Sequence, residues 1–355
     1  MPARAVINVD LDDFFVSVEQ KRKPEIKNRP IIVGADGDPS KRGAVLAASF
    51  DARSLGVISG MPLRSAYRLC PQAVFLPVDF EAYEKYSDRF MDILRDYSPL
   101  VESFGLDEGF VEIAPAKGED PFHAAARIAG EIKSRIEKEL GLTPSVGVGP
   151  NKLLAKTACE LGKPGGFFMI YEKDIGAVLR ELPVRKLPGV GAKTEKRLKD
   201  LGASTVGELS RLPLRHLERN FGPDLGKTLF EHSRGIDLSP VVAFRETGSI
   251  CREVTFDIDA ADLHIIKEIV YGLSKDLAAR LKGMGCKGIT VSIKVRYENF
   301  RTDVFSASLS APTDSLNDVW VAAAGLLESV ESTRMVRLVG VKVAGLTYKK
   351  NRPEQ

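Results

Sequence analysis

The sequence predicts an α+β protein of several domains, and three observations lead to this class. Its 355 residues exceed what one compact core usually holds, so about two to four domains are expected. Strand and helix patterns follow the order strand, helix, strand, strand, helix, strand before residue 172, and this order recurs after residue 248. Between these segments, residues 172–236 contain short basic helices and glycine turns.

The first element is a buried strand at residues 5–11, which ends in a group of carboxylates. Asp10 lies at the end of the strand, and Asp12 and Asp13 precede a pattern with helical spacing. Carboxylates at the end of a strand are well placed to hold a metal ion, whereas Asp is also a good helix N-cap. We therefore predict that Asp10 binds metal and that Asp12 or Asp13 caps the helix.

Asp107 and Glu108 form a second acidic group, between the apolar runs of the stretch Phe104–Glu112. This pattern is typical of a strand-turn-strand that presents acids at a sheet edge, although a solvated turn has a similar composition. In a ferredoxin-like sheet of four antiparallel strands with helices on one face, the first strand lies in the centre beside this hairpin. Asp10 and Asp107 are therefore expected to be neighbours.

The same hairpin is expected to contain a bend. Adjacent residues on a regular strand point to opposite faces, so Asp107 and Glu108 can share a metal cluster only where the backbone bends. Gly105 and Gly109 favour such a bend because glycine adopts turn conformations readily.

The other elements of the first segment follow from hydrophobic periodicity. Residues 29–77 contain short elements and are interpreted as an insertion after the first strand. The spacing then predicts an amphipathic helix near residues 83–97, whose aromatic side chains belong to the core. The remaining predicted elements are a helix at 121–140, a strand at 145–149, a helix at 151–161 and a strand at 166–171.

Residues 172–236 have the pattern of a helix-hairpin-helix. A Pro-Gly-x-Gly turn with Gly189 and Gly191 opens a basic helix that contains Lys193, and Thr205 begins the next helix with a capping box. Glycines let backbone N–H groups and a helix N-terminus approach a phosphate. The pattern favours nonspecific binding of a DNA backbone over a plain helical turn.

Residues 237–248 lack periodicity and are interpreted as a linker to the second βαββαβ segment. The strand at 290–297 alternates apolar side chains with polar and basic ones, which include Lys294 and Arg296. This face could bind a nucleic-acid backbone or be an ordinary solvated face. The predicted elements are strands near 250–256, 289–297, 302–309 and 336–343 and helices near 265–281 and 312–330.

Composition excludes several classes of protein. The four cysteines and four histidines are dispersed and indicate neither a disulfide framework nor a zinc site, so a metal would be a hard ion held by carboxylates. No apolar run reaches the roughly 20 residues of a membrane span, and no signal-peptide pattern is present, so a cytoplasmic location is expected. The net charge is +3, and basic residues outnumber acidic ones in residues 172–236, which fits polyanion binding there.

Together these motifs resemble the Y-family DNA polymerases, in the branch of DinB or DNA polymerase IV. The stretch Val9–Phe15 resembles the first motif of the family, and Gly105–Phe110 resembles its Ser-Ile-Asp-Glu-Ala-Tyr/Phe signature. The Lys-Pro-Gly-Gly turn at residues 163–166 and the helix-hairpin-helix follow in the order of the family. The resemblance covers essentially the whole chain.

The resemblance implies a right-hand polymerase fold with a ferredoxin-like palm, small fingers, a helix-hairpin-helix thumb and a βαββαβ little finger. It also implies template-directed addition of deoxynucleotides, supplied as dNTP, to the 3′-OH of primer-template DNA. Low fidelity and synthesis past damaged template bases are expected, as is a monomer. The implied limits are 1–10 and 79–168 for the palm, 11–78 for the fingers, 169–236 for the thumb, 237–243 for a linker, 244–350 for the little finger and 351–355 for a tail.

The resemblance also assigns the metal ligands. Asp10 and Asp107 would bridge two Mg²⁺ ions, the carbonyl of Leu11 would complete a shell, and Glu108 would hold the ion at the 3′-OH. Mn²⁺ is an expected substitute. Clustered carboxylates suit this role because these hard cations prefer oxygen ligands.

One of two adjacent aromatic residues must face the core, and the resemblance selects Phe15 as the exposed one and as the steric gate against a ribose 2′-OH. The cationic side chains of Arg53 and Lys163 suit contacts with the triphosphate. Lys152 and Lys156 lie either near this site or on a solvated face. The implied nucleotide-binding residues are Phe14, Phe15, Phe50, Arg53 and Lys163.

The sequence departs from the family pattern at four positions. Phe50 replaces the usual Tyr, so a hydroxyl contact with the triphosphate would be missing. Gly105 replaces Ser, Gly109 replaces Ala and Glu112 replaces Asp, but none of these changes removes a metal ligand. The C-terminal residues lack a Gln-x-x-Leu-x-Phe peptide, so a sliding-clamp partner is not indicated. A metal-dependent nuclease and a non-catalytic DNA-binding scaffold are the alternative functions.

Overall fold

Two sheets with packed helices, a helical segment and a small three-stranded sheet make up the fold. The structure is a computed structural model and describes residues 4–114, 118–244, 246–331 and 333–348. In these ranges the strands are β1 (Ala5–Leu11), β2 (Ile31–Gly34), β3 (Val45–Ala48), β4 (Val74–Leu76), β5 (Val101–Ser103), β6 (Glu108–Ile113), β7 (Pro144–Gly149), β8 (Phe167–Met169), β9 (Ser249–Ala260), β10 (Cys286–Tyr297), β11 (Thr302–Thr313), β12 (Val336–Ala344) and β13 (Thr347–Tyr348). The α-helices are α1 (Phe14–Arg22), α2 (Phe50–Ser54), α3 (Leu63–Leu69), α4 (Phe80–Arg95), α5 (Pro121–Arg135), α6 (Lys152–Gly162), α7 (Ile175–Arg180), α8 (Ala192–Asp200), α9 (Val206–Arg211), α10 (Leu214–Phe221), α11 (Pro223–His232), α12 (Leu263–Met284) and α13 (Leu316–Leu327).

The first sheet has the strand order β5-β6-β1-β7-β8, so β1 lies in its centre as predicted. The four strands of the ferredoxin-like set pair antiparallel, and β8 adds a fifth strand parallel to β7. Ile7 and Val9 face a core that includes Phe90 of α4 and Ile132 of α5. The two helices of the βαββαβ set therefore share one face, as expected.

A third helix, α6, covers the opposite face of this sheet. Gly147 and Gly149 of β7 make the approach possible, because a Cβ on Gly147 would lie 2.1 Å from the carbonyl oxygen of Ala155 and one on Gly149 would lie 2.6 Å from the Ala155 nitrogen. Val6 and Ala155 belong to one small apolar cluster on this face. Side chains alternate along a strand, so Asn8 and Asp10 also point toward the α6 face.

The predicted insertion contains the three-stranded sheet β3-β2-β4, in which β2 and β4 are parallel. Ser49 caps α2 by accepting a hydrogen bond from the backbone nitrogen of Ala52. Residues 172–236 form the short helices α7 to α11 around a leucine-rich core. Thr205 and Glu208 form the capping box that was predicted at the start of α9.

The second sheet has the order β11-β10-β12-β9, with α12 and α13 packed on its core. Its element order repeats that of the first segment, as predicted. The strand order differs, because the first and third strands of the βαββαβ set are central in the first sheet, whereas the second and fourth are central here. The same sequence of elements therefore folds into two different sheets.

The residues group into two compact units. The described parts of Met1–Val33, Leu46–Ile58 and Gln72–Phe244 form one unit, and those of Gly34–Val45, Ser59–Pro71 and Arg245–Gln355 form the other. Among the described residues, no helix is both long enough and apolar enough to cross a membrane. From position 349 onward, the C-terminal tail, which lacks a clamp peptide in its sequence, lies outside the described residues.

Candidate active site

Asp10 and Glu108 lie directly opposite each other across the β1–β6 ladder. Asp107 precedes β6, and its carbonyl accepts a hydrogen bond of 2.8 Å from the backbone nitrogen of Leu11. The ferredoxin-like topology therefore brings the two predicted acidic groups together, as expected.

The predicted bend lies before β6. Gly105 has a φ of +86°, a left-handed conformation that suits glycine, and Asp107 follows in the same turn. The bend predicted at Gly109 is wrong, because this residue pairs regularly with Val9 inside the ladder. Gly109 instead makes room for α4, since a Cβ there would lie 2.6 Å from Leu94.

Burial disfavours the ionised forms of Asp10 and Asp107. Loss of solvent raises the pKa of Asp10, although the ammonium of Lys163 at 2.9 Å acts in the opposite direction. Burial also raises the pKa of Asp107, and the charge of Asp10 raises it further. Among the described residues Asp107 is in no ion pair. The pair thus forms a site of excess negative charge that favours a cation.

Glu108 is 5% exposed, and both of its carboxylate oxygens have partners. Oε1 accepts a hydrogen bond of 2.9 Å from the amide of Asn8. Oε2 accepts one from the ammonium of Lys156, which also lies 4.7 Å from the ring centre of Phe104. Lys152 pairs with the buried Glu102 at 2.8 Å. The solvated face considered for Lys152 and Lys156 is therefore wrong, because α6 packs against the acidic face of the sheet.

Lys163 lies just after α6 and forms ion pairs with Asp10 at 2.9 Å and with Glu160 at 2.6 Å. Burial lowers the pKa of Lys163, but the charges of these two carboxylates outweigh burial and raise it overall. The carboxylate of Asp12 holds the turn that carries Lys163, because it accepts hydrogen bonds from the hydroxyl of Ser145 at 2.8 Å and from the nitrogen of Gly165 at 2.6 Å.

The prediction that the side chain of Asp12 or Asp13 caps α1 is wrong. Asp13 does occupy the N-cap position of α1, with a φ of +49°, but its carboxylate makes no capping hydrogen bond. Arg53 takes both of its oxygens, at 2.6 and 3.1 Å, and also donates to the carbonyl of Ala48 at 2.7 Å. A two-pronged guanidinium contact replaces the expected cap.

The two aromatic residues at the start of α1 differ in burial. Phe14 is 2% exposed and belongs to the core, whereas Phe15 is half-buried. The ring of Phe15 packs edge-on against Tyr83 at a centroid distance of 5.0 Å, and the Tyr83 hydroxyl donates to Glu19 at 3.0 Å. Phe50, at the first position of α2, is 72% exposed.

The residues predicted to bind a DNA backbone lie on two separate elements. Gly189 has a φ of +88°, Gly191 occupies the N-cap position of α8, and Lys193 in the first turn of that helix is exposed. On β10, Lys294 pairs with Glu253 at 2.9 Å, and Arg296 donates to the hydroxyl of Thr302 at 3.0 Å. The predicted alternation of β10 is confirmed, because its apolar side chains are buried in the second core.

Asn8 and the structural role of Asp12 were not identified from the sequence. Asn8 could have been found, because it is the polar residue two positions before Asp10 in an otherwise apolar strand and therefore shares its face. Nothing in the sequence pairs Asp12 with Ser145, which lies on a distant strand.

The side chains present suit a hard divalent cation. Asp10, Asp107 and Glu108 offer carboxylate oxygens, and lysine ammoniums already lie against two of them. In the described part of the chain, no three His, Cys, Asp or Glu side chains are close enough to form a complete metal cage. Further ligands would therefore come from the backbone or from a bound substrate.

Comparison with known proteins identifies the family of each part of the chain. Residues 9–160 match the impB/mucB/samB family, residues 247–355 match the C-terminal domain of that family, and residues 185–237 match a thumb domain described as that of DNA polymerase-iota.

Full-length relatives are also similar. DNA polymerase IV of Dehalococcoides mccartyi strain CBDB1 is 39% identical over 97% of this chain and 87% of its own length. DNA polymerase IV of Alkalilimnicola ehrlichii is 40% identical over 98% of this chain and 96% of its own.

Solved structures agree with these matches. The Y-family DNA polymerase chimera Dbh-Dpo4(243-245)-Dbh has a TM-score of 0.88 and 27% identity, covering 97% of this chain and all of that one. DinB from Sulfolobus solfataricus has a TM-score of 0.67 at the same identity and coverage. This chain therefore belongs to the Y-family of DNA polymerases, in the DNA polymerase IV branch.

Proposed function

We propose that Asp10, Asp107 and Glu108 carry out the template-directed addition of deoxynucleotides to a primer 3′-OH. The observation that supports this most directly is the juxtaposition of Asp10 and Glu108 across the β1–β6 ladder, with Asp107 in the adjoining turn. The chain is a DNA-directed DNA polymerase of the translesion type, as its family membership implies. Its partners are primer-template DNA and dNTP.

Two Mg²⁺ ions are the proposed cofactors, with Mn²⁺ as a substitute. When bound, they would lower the pKa of the primer hydroxyl and stabilise charge on the pyrophosphate leaving group. Asp10 and Asp107 would hold both ions, the carbonyl of Leu11 would add a ligand, and Glu108 would serve the ion at the primer end. The burial of these carboxylates strengthens their attraction for cations.

Lys163 and Arg53 are the proposed contacts for the triphosphate. Each now pairs with a carboxylate, Lys163 with Asp10 and Arg53 with Asp13. A triphosphate would compete for these ammonium and guanidinium groups, which suit phosphate oxygens. These two ion pairs hold the side chains of Lys163 and Arg53 at the site before substrate binds.

The aromatic side chains near the site have different proposed roles. The half-buried Phe15 would exclude a ribose 2′-OH, and the packing of its ring on Tyr83 restricts its movement. Phe14 supports it from the core. The exposed ring of Phe50 would contact the nucleotide without the hydroxyl that the family usually provides.

Two surfaces are proposed to bind the DNA backbone without reading its sequence. One is the turn with Gly189, Gly191 and Lys193, three exposed residues at the N-terminus of α8, where a phosphate could approach the helix end. The other is the polar face of β10 with Lys294 and Arg296, for which a solvated face is the simpler alternative. We also propose the limits of the palm, fingers, thumb and little finger that are given above.

The direct test is extension of a primed template with dNTP and Mg²⁺. We expect wild-type extension to fall by about a hundredfold or more in Asp107→Asn, because a carboxylate that would hold both Mg²⁺ ions is lost. Asp88→Asn, which removes an exposed carboxylate on α4, is the matched control and should retain wild-type extension. Primer shortening by the wild type would indicate nuclease chemistry, and an active Asp107→Asn would refute the assigned role.

A further inference from the structure

Asn8 is a buried polar residue in the centre of the first sheet. It is 1% exposed, and its Nδ2 donates to Glu108 Oε1 at 2.9 Å and lies 3.4 Å from the carbonyl oxygen of Gly109. Within the described residues, its Oδ1 has no hydrogen-bond partner. A buried amide with an unpaired oxygen is costly, so stability alone does not account for Asn at this position.

Glu108 divides its two oxygens between unlike donors. Oε1 meets the amide of Asn8, which is fixed because its backbone pairs with strands on both sides. Oε2 meets the ammonium of Lys156, whose side chain is 23% exposed and ends a flexible stem. A cation that enters the site can replace the ammonium, whereas the amide stays in place.

We propose that Asn8 is a positioning residue for the polymerase reaction. It holds Oε1 of Glu108 and thereby presents Oε2 to the cation at the primer end, while Lys156 neutralises Oε2 in the free protein. This inference rests on the role proposed above for Glu108. Its additional content is that the orientation of the Glu108 carboxylate depends on a neutral donor two residues before Asp10.

The test measures Mn²⁺ binding by electron paramagnetic resonance in the full chain without DNA or dNTP. Asn8→Leu, which is similar in size but has no donor, should weaken Mn²⁺ binding by about tenfold, the effect of losing a hydrogen bond to a charged group. Glu108→Gln should weaken binding at least as much. In the Glu108→Gln background, Asn8→Leu should add no further loss, because both changes act through one carboxylate.

A second readout separates positioning from general damage. Asn8→Leu should raise the Mg²⁺ concentration for half-maximal primer extension and lower kcat, while the KM for dNTP stays within about twofold of wild type. Ser98→Ala removes the hydrogen bonds that the Ser98 hydroxyl donates to the carbonyl of Glu112 in β6 and accepts from the nitrogen of Leu100, and should change none of these quantities. If Asn8→Leu does not fold, Asn8→Ser, which leaves space for water, replaces it in every measurement.

The outcomes distinguish this inference from the function beneath it. If Glu108→Gln weakens Mn²⁺ binding but neither Asn8 variant does, the positioning role is refuted and the role of Glu108 stands. If the loss from Asn8→Leu persists in full in the Glu108→Gln background, Asn8 acts elsewhere and the inference also fails. If the Glu108→Gln variant binds Mn²⁺ normally and also extends primers normally, the assigned role of Glu108 fails and the inference fails with it.

Discussion

Removing the Asp12 carboxylate tests how the Lys163 turn is held. Asp12 accepts hydrogen bonds from Ser145 at 2.8 Å and from the nitrogen of Gly165 at 2.6 Å. In Asp12→Ala both donors lose a carboxylate acceptor, and the turn that carries Lys163 stays joined to the end of β1 through the Lys163–Asp10 ion pair. We expect lower stability and weaker dNTP binding.

The magnitude follows from these contacts. A hydrogen bond to a charged group contributes about 1.5–3 kcal/mol, and two are lost. The nitrogen of Gly165 retains the Ser145 hydroxyl at 2.9 Å, so it is not left without an acceptor. The free energy of unfolding should therefore fall by about 3 kcal/mol, the lower end of the range of about 3–6 kcal/mol for two such bonds. A shift of the Lys163 ammonium should raise the KM for dNTP by about tenfold, which corresponds to about 1.4 kcal/mol.

Urea unfolding and steady-state primer extension measure the two effects. Asp12→Asn keeps one oxygen acceptor and should lose about half as much stability. Asp88→Ala, an exposed change on α4, serves as the control for loss of a negative charge. If Asp12→Ala retains wild-type stability and wild-type KM for dNTP, while Lys163→Ala raises that KM, the idea that Asp12 positions the turn is refuted.

Three further predictions concern other parts of the chain. Phe15→Ala should raise ribonucleotide relative to deoxynucleotide incorporation by at least about tenfold while extension with dNTP continues, and unchanged sugar discrimination in primer extension would exclude the gate role. Burial lowers the pKa of His232 below its ordinary value of 6.5, despite the charge of Asp237 nearby. As the pH falls, His232 is therefore protonated in the unfolded chain before it is protonated in the folded one, so the stability present above pH 6.5 is lost. His232→Gln should therefore lessen the decline in unfolding free energy between about pH 7 and pH 5, and an equal decline in both proteins would contradict this linkage. Lys193→Ala should weaken binding to DNA of any sequence, as measured by fluorescence anisotropy, and should reduce the slope of log affinity against log salt concentration by about one. An unchanged slope would place this lysine away from DNA.

The acidic groups could be predicted from sequence because local pattern and topology both specify them. Asp10 ends an apolar strand, and the order of elements places that strand beside the hairpin with Asp107 and Glu108. Gly105 indicated the bend correctly, since a turn that needs a positive φ depends on the residue itself. Gly109 did not, because its role is set by the side chain of Leu94 on another helix.

Contacts between distant elements could not be predicted in the same way. Lys156 reaches Glu108 because α6 packs on the acidic face, and that packing depends on Gly147 and Gly149 in β7. The periodicity of α6 shows which residues share a face but not what that face meets. Asp13 likewise has the sequence position of a helix cap, but Arg53 offers a stronger, charged partner.

The second sheet shows the same limit at the level of topology. Periodicity located its strands and helices, and their order along the chain matched the first segment. Strand order depends on which strand edges pair through backbone hydrogen bonds, and the alternation of side chains within a strand does not identify the neighbouring strand. The order β11-β10-β12-β9 therefore had to come from the structure.

The central position of β1 has a consequence for how the chain folds during synthesis. Both neighbours of this strand, β6 and β7, lie roughly a hundred residues or more further along the chain, so at a synthesis rate of about 5–20 residues per second β1 has no pairing partner for at least about five seconds. Its five apolar side chains and its unpaired edges can promote aggregation during that interval. Shielding of this first strand therefore matters for solubility during synthesis, and Asp10 and Glu108 can come together only after β6 has been made.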